Sequence, residues 1–222
     1  MRIDTVRTKK TIVQDLIKMG WTKTFANQAY AQWGVRSLDV LRQDPYSALF
    51  LNPQMKWMEL DLVARQMGLA ENALERIGGG IRYALFASLG DGHVFLPLSE
   101  LQQRTARLIP LEYEEQWQKA LKEMANNREV ILRNSGTSIY LRHLYVAETS
   151  VARDMTQLHR SASSMALLTP TGEELDEVER ELRIQLAPAQ REAIVASLTN
   201  KLVIITGGPG TGKTTIVRGV LR

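Results

Sequence analysis

The residues with the clearest chemistry lie near the end of the sequence, in the run Gly-Gly-Pro-Gly-Thr-Gly-Lys-Thr. Its glycines allow the backbone to come close to phosphate oxygens. Successive backbone N–H groups then form a concave anion site, and the following helix directs its positive end at the phosphates. The run therefore predicts a phosphate-binding loop, made of Gly207, Gly208, Pro209, Gly210, Thr211, Gly212, Lys213 and Thr214.

Two side chains of this loop are suited to a nucleoside triphosphate. Lys213 is predicted to reach the β- and γ-phosphates, and the Thr214 hydroxyl to bind Mg²⁺. Thr215 follows directly and is included among the nucleotide-binding residues. Such a loop requires a strand before it and a helix after it. The apolar run Leu202–Thr206 predicts a buried strand of a parallel sheet, and a helix is expected from Lys213.

Gln190, upstream of the loop, is a candidate for recognising the base. A primary amide can donate a hydrogen bond to an adenine edge and accept one from it at the same time. The plainer interpretation is an exposed helix residue, because most glutamines are exposed. The expected ligands are therefore ATP with Mg²⁺.

Composition sets limits on the class of protein. The 222 residues carry a formal net charge of +4, which is compatible with a nucleic-acid partner but weak evidence by itself. The absence of cysteine excludes disulfides and cysteine zinc sites. No apolar run approaches the roughly 20 residues of a membrane span, and the N-terminus does not read as a secretory signal. We expect a cytoplasmic protein with no membrane partner.

Periodicity and turn residues predict a mostly α N-terminal region with a small β-hairpin, followed by the first strand, loop and helix of a P-loop α/β domain. A helix is expected over 71–89, with a break at Gly78-Gly79-Gly80 because interior glycines weaken helices. Asn134-Ser135-Gly136 predicts the turn of a hairpin. The predicted domains are a helical region with degenerate helix-hairpin-helix character (1–90), a helical or winged region with the β-hairpin 129–141 (91–160), a linker (161–172) and the start of a motor domain (173–222).

These segments together resemble a known family. Leu186 and Gln190, the apolar run and the phosphate loop resemble the start of a superfamily-1 helicase motor. Three upstream segments narrow the resemblance to the RecD-type DNA helicases, which include the alpha subunit of exodeoxyribonuclease V. They are Gly80–Leu85, Gly92–Pro97 with Glu100-Leu101, and Ile139–Leu141 with the helix that follows.

The resemblance implies an ATP-dependent helicase that moves 5′ to 3′ on DNA and acts in repair or recombination. It implies that Lys213 and Thr214 are catalytic, that Gln190 reads adenine, and that residues 208–212 hold the phosphates. DNA, either single-stranded or duplex with a 5′ tail, is the implied partner, and further nuclease or helicase subunits are candidates.

The N-terminal hairpins depart from the family pattern. Relatives hold the DNA backbone with a Gly-x-Gly hairpin, but the segment Lys18–Thr24 keeps one glycine and Met55–Met58 keeps none. DNA contact by Lys18, Thr22 and Lys23 is one interpretation, and a solvated basic face is the other. The four tryptophans are expected to pack between helices rather than to stack on bases.

The sequence stops at Arg222, shortly after Lys213. It contains neither an acidic strand that would hold Mg²⁺ nor an arginine finger, and phosphoryl transfer needs both. We therefore expect an N-terminal part of a longer helicase that does not hydrolyse ATP alone, with a weakly packed loop that binds ATP feebly. Two alternatives remain open. One is a non-catalytic DNA- or subunit-binding module with a passive motor remnant, and the other is an AAA-type P-loop ATPase.

Overall fold

The computed structural model describes residues 8–110, 114–161 and 169–222. The chain divides into two compact units, Met1–Glu148 and Thr149–Arg222. The first has a large apolar core built from helices and a small sheet, and the second has a separate, smaller core. The domain boundaries predicted from the sequence remain a proposal.

The first unit begins with a helical hairpin. Helices α1 (Lys9–Lys18) and α2 (Lys23–Trp33) are joined by a tight turn in which Gly20 has a φ of +103°. The Thr22 hydroxyl accepts a hydrogen bond from the Phe25 N–H, which confirms Thr22 as the cap of α2. Gly34, with a φ of +58°, ends α2 as the sequence indicates.

The next helices complete the helical part of this unit. They are a short 3₁₀ turn (Gly34–Arg36), α3 (Ser37–Gln43), a 3₁₀ helix (Pro45–Phe50), α4 (Trp57–Gln66), α5 (Leu74–Ala87) and a further 3₁₀ turn (Ser88–Asp91). Helix α5 is buried along most of its length and packs against the Pro45–Phe50 helix, α6 (Leu98–Ala106) and α7 (Glu114–Asn126). It is therefore the central helix of the unit.

The predicted break at Gly78-Gly79-Gly80 is wrong, because α5 runs through all three glycines. Close packing explains their presence. A Cβ at Gly79 would lie 2.2 Å from Tyr46 Cγ, and one at Gly80 would lie 2.8 Å from Ile109 Cδ1. The glycines thus admit neighbouring side chains to the helix backbone, and burial compensates for their low helix propensity.

Two buried ion-pair groups tie α5 to its surroundings. Arg76 donates two hydrogen bonds to Asp61 on α4, at 2.8 and 2.9 Å, and the Tyr46 hydroxyl donates to the same carboxylate at 2.6 Å. Burial alone would raise the pKa of Asp61, but the bonds from Arg76 and Tyr46 hold it below its usual range. Burial, reinforced by the bond to Asp61, raises the pKa of Tyr46.

Arg82 forms the second group. It lies 2.8 Å from Asp44 Oδ2 and contacts the Glu129 carboxylate. Burial alone would lower its pKa, but these two carboxylates raise it. Because Asp44 precedes the 3₁₀ helix Pro45–Phe50 and Glu129 precedes strand β2 (Val130–Arg133), the pair of contacts joins the helical region to the sheet.

The sheet contains the predicted hairpin. Strands β2 (Val130–Arg133) and β3 (Ser138–Leu141) pair antiparallel, and β1 (Phe95–Pro97) pairs with the other edge of β3, with Phe95 opposite Tyr140. Asn134, Ser135 and Gly136 all have positive φ, which confirms the predicted turn. Helices α6 (Leu98–Ala106) and α7 (Glu114–Asn126) lie between β1 and β2 in the chain, and α8 (Arg142–Arg160) follows β3 directly.

The described part of the second unit contains the C-terminal part of α8, followed by α9 (Gly172–Leu182), α10 (Pro188–Thr199) and α11 (Lys213–Val220). Thr171 and Glu174 form a reciprocal capping box at the start of α9. The small core consists of Leu175, Leu186, Ile194 and Ile216. Most of the predicted linker 161–172 falls on residues 162–168, outside the described ranges.

The predicted buried strand at Leu202–Thr206 is not formed, and Ile204 is 70% exposed. A strand requires ladder hydrogen bonds to a neighbour, and a buried one requires cover on both faces. The described part of this unit provides no neighbouring strand. The mostly helical architecture and small hairpin are confirmed, whereas the α/β fold of the motor domain is not seen. No helix in the described ranges is long and apolar enough to cross a membrane.

Candidate nucleotide site and helical hairpin

The phosphate loop lies immediately before α11, as its sequence requires. Gly210 and Gly212 have φ values of +76° and +80°, a conformation that side chains with a Cβ rarely adopt. Gly212 forms the N-terminal boundary of α11. The glycines therefore turn the chain so that the first turn of the helix opens onto the loop.

The backbone at this helix end is available for an anion. The first N–H groups of any helix lack acceptors within it. Among the described residues, no acceptor serves the N–H groups of Lys213, Thr214 or Thr215. With the positive end of the helix dipole, they form a site whose charge suits phosphate. Thr214 is exposed beside them, so its hydroxyl is accessible to a metal ion carried by a nucleotide.

The Lys213 ammonium bonds to the loop itself. Its Nζ donates to the carbonyls of Gly207 and Gly208, at 2.8 and 2.7 Å, and lies 3.4 Å from Thr211 Oγ1. A lysine has three donors, and these contacts occupy them. To reach a phosphate, the ammonium must exchange these oxygens for phosphate oxygens, which carry more negative charge.

Gln190 lies against the loop although it belongs to α10. Its Oε1 accepts the Ala187 N–H at 2.9 Å, which caps α10, and its Nε2 donates to the Thr211 carbonyl at 3.2 Å. An amide side chain offers two donors and two acceptor lone pairs. One of each is still free, and an adenine edge requires one donor and one acceptor.

In the turn between α1 and α2, the backbone N–H groups are already hydrogen-bonded to α1. The N–H groups of Met19, Gly20 and Trp21 all donate to carbonyls of α1. The Thr22 hydroxyl is used as a cap. Lys18 is 78% exposed and lies 3.4 Å from Asp15, and Lys23 is exposed. This hairpin therefore presents two lysine side chains but not the amides of its turn.

The second hairpin segment, residues 51–56, also bonds to itself. The Gln54 N–H donates to Asn52 Oδ1, and the Met55 N–H donates to the Asn52 carbonyl. This geometry agrees with the absence of glycine from Met55–Met58. The tryptophans pack as expected, since Trp21, Trp57 and Trp117 are buried and Trp33 packs against the same core. Trp21 stacks on Phe25 and Trp57 on Tyr46.

Comparison with known families adds two matches. Residues 5–95 match a family model described as the HHH domain of the ATP-dependent RecD2 DNA helicase. Residues 190–222 match a family model described as an AAA domain. The chain is therefore similar to the RecD2 helicase HHH domain near its N-terminus and to an AAA domain at its other end, which is consistent with a RecD-type helicase. The resemblance predicted from the sequence is thereby confirmed at both ends of the chain.

The match to the RecD2-type model covers α1 to α5, which include both hairpin segments and much of the helical core of the first unit. The second begins at Gln190 and includes the entire phosphate loop, two features that the structure places side by side. Sequence reasoning missed the capping role of Gln190. A capping-box pattern provided the signal, because Gln190 is three residues beyond the helix boundary at Ala187 and follows a proline at the first helical position.

The hydrogen-bond donors and the hydroxyl of the phosphate loop fit ATP with Mg²⁺. The loop provides free amides, a lysine and a threonine hydroxyl, which suit phosphates and a nucleotide-bound cation. Within the described ranges, no group of three or more His, Asp or Glu side chains is placed to hold a metal by itself. Any Mg²⁺ here would therefore take most of its ligands from phosphate oxygens and water.

Proposed function

We propose that this chain contributes the N-terminal region and the nucleotide-binding loop of an ATP-dependent DNA helicase of the RecD type. The observation that carries the proposal is the contact between Gln190 and the loop, 3.2 Å from Nε2 to the Thr211 carbonyl. This contact supports the proposal because the amide that we propose to read the base lies beside the proposed phosphate site, in a chain whose residues 5–95 match the RecD2-type model.

Each residue of the site has a separate task in this proposal. The backbone N–H groups of Gly208 and of residues 210–215 hold the phosphates. Lys213 neutralises the β- and γ-phosphates, and the Thr214 hydroxyl would be a ligand of Mg²⁺. Gln190 uses its remaining donor and acceptor on adenine. Bound Mg²⁺ would neutralise charge that develops on the transferred phosphoryl group.

The wider activity follows from the family resemblance. We infer movement 5′ to 3′ along single-stranded DNA, unwinding of duplex with a 5′ tail, a role in repair or recombination, and a cytoplasmic location. Further nuclease or helicase subunits are candidate partners. Lys18, Lys23 and the hairpin capped by Thr22 are the proposed DNA contacts of the first unit.

Calorimetric titration with ATP and Mg²⁺ tests the nucleotide site. We expect weak binding, because residues 206–211 are exposed and Ile204 before them is uncovered. Lys213→Ala should reduce the affinity at least about tenfold, the size expected for a charge-assisted contact. Tight binding by the unmodified chain, or full affinity in Lys213→Ala, would contradict this assignment.

A second variant separates base reading from phosphate binding. Gln190→Glu keeps a side-chain oxygen that can cap α10 but loses the amide donors. It should narrow the preference for ATP over GTP, whereas the added negative charge beside the loop should weaken ATP, GTP and inorganic triphosphate alike. These 222 residues contain no Asp or Glu after Lys213. We therefore expect no turnover of ATP by a polypeptide of this sequence, and measurable phosphate release would overturn that expectation.

A further inference from the structure

A groove on the outer side of the α1–α2 hairpin has no role in the proposed nucleotide site. It encloses about 620 Å³ and is lined by side chains from both helices. Its floor is formed by Val13 and by Ile17, which is 40% exposed. A half-exposed isoleucine at the base of a groove offers apolar surface to another molecule.

The rim of the groove is basic. Lys9, Lys10 and Lys23 line it, and none of the described residues that line it is acidic. Among the described residues, none of the three ammonium groups forms an ion pair. Lys9 Nζ is held 5.7 Å from the centroid of the Tyr30 ring, which orients the ammonium without neutralising it.

The positions of these lysines at the helix N-termini also favour an anionic ligand. Lys9 and Lys10 lie in the first turn of α1 and Lys23 in the first turn of α2, and neither first turn contains an acidic residue. Positive charge at this end opposes the helix dipole. An anionic partner in the groove would relieve that repulsion.

We propose that this groove binds an acidic amphipathic helix of a partner protein. The lysines would face its carboxylates, and Val13 and Ile17 would contact its apolar side chains, as in other helix-in-groove complexes. A nucleic-acid backbone matches the charge equally well but brings little aliphatic surface for the Ile17 floor. Helix α1 has ten residues, about 15 Å, so two to three turns of a partner would span the groove.

The test uses fluorescence anisotropy with a labelled 14-residue helical peptide that has leucines on one face and glutamates elsewhere. A scrambled peptide of the same composition controls for charge alone. Lys9→Glu with Lys10→Glu should weaken binding at least about tenfold, and Ile17→Ala about threefold to fivefold. Lys119→Glu with Lys122→Glu, two exposed positions on α7, changes the charge equally and should stay within about twofold.

Three results would overturn the proposal. They are no peptide binding at low salt, equal losses in the α7 control variant, and equal binding of the scrambled peptide. A labelled single-stranded oligonucleotide is titrated in parallel. If it alone binds, loses affinity in the Lys9 and Lys10 variant and is insensitive to Ile17→Ala, the groove is a nucleic-acid site instead. The groove variants leave Lys18 and the phosphate loop intact, so failure here is distinct from failure of the proposed helicase function.

Discussion

Alanine substitution at two neighbouring glycines should have opposite effects on stability. Gly79 contacts the Tyr46 ring so closely that a Cβ would lie 2.2 Å from Cγ and 2.5 Å from both Cδ atoms. A Cβ at Gly78 would meet Met124 Sδ at 3.6 Å, an ordinary contact. Both positions lie inside α5, so helix propensity favours alanine equally, by about 1 kcal/mol.

Tyr46 cannot move aside cheaply. It is fully buried, its hydroxyl bonds to Asp61 at 2.6 Å, and its ring stacks on Trp57 at 5.4 Å. Overpacking costs about 1–3 kcal/mol, and loss of the hydrogen bond to a carboxylate adds about 1.5–3 kcal/mol. After the gain in propensity, Gly79→Ala should destabilise the first unit by about 1.5–5 kcal/mol, whereas Gly78→Ala should stabilise it by about 0.5–1 kcal/mol.

Urea denaturation followed by tryptophan fluorescence measures this difference. All four tryptophans lie within the first unit, so the signal reports on that unit. The midpoint should fall for Gly79→Ala and rise slightly for Gly78→Ala, with similar slopes. If Gly79→Ala is as stable as Gly78→Ala, the close approach of Tyr46 to α5 is not the reason for glycine at this position.

Two further predictions concern charges of the first unit. Asp61→Asn leaves Arg76 buried without its carboxylate and should cost about 3–5 kcal/mol in urea denaturation, whereas Asp15→Asn at an exposed pair should cost at most about 0.5 kcal/mol. Because the pKa of Asp61 is lowered in the folded state, its contribution to folding stability is present above the unfolded pKa and is lost as the pH falls through the folded pKa. The Asp61→Asn variant should lack this part of the protein's sensitivity to acid. Lys18→Glu with Lys23→Glu should weaken the binding of a single-stranded oligonucleotide and make that binding less dependent on salt, as measured by anisotropy. Both effects should be larger than those of Lys119→Glu with Lys122→Glu. Equal effects of the two double variants would place the DNA contact elsewhere.

Local signals were sufficient for much of the first unit. Thr22 as a cap, Gly34 as a helix end and Asn134-Ser135-Gly136 as a turn each act through neighbouring backbone atoms. Gly79 is different because its reason is Tyr46, which is distant in the chain and reaches α5 only after folding. Helix propensity alone could not anticipate that contact, so the expected break was wrong.

In the second unit, too, local features could be predicted from the sequence whereas features that depend on distant contacts could not. The phosphate loop could be read from sequence because its pattern is contiguous and its glycines have the positive φ that the pattern requires. The strand at Leu202–Thr206 could not be judged in that way, since strand formation depends on neighbours that apolar composition does not reveal. Gln190 was found by its amide chemistry, but its distance from the loop depends on how α10 and α11 pack, with Gly219 allowing close contact with Ile194.

We propose that Gln190 both builds the nucleotide site and reads the base, and its two contacts explain how one amide can serve both purposes. Capping α10 through Oε1 and contacting Thr211 through Nε2 fix the orientation of the amide plane. Its unused donor and lone pair are therefore already directed before adenine arrives, so little side-chain entropy is lost on binding. A Cβ at Gly212 would lie 2.3 Å from the same Nε2. Glycine at position 212 thus allows both the turn into α11 and the approach of the amide, which links base recognition to the shape of the phosphate loop.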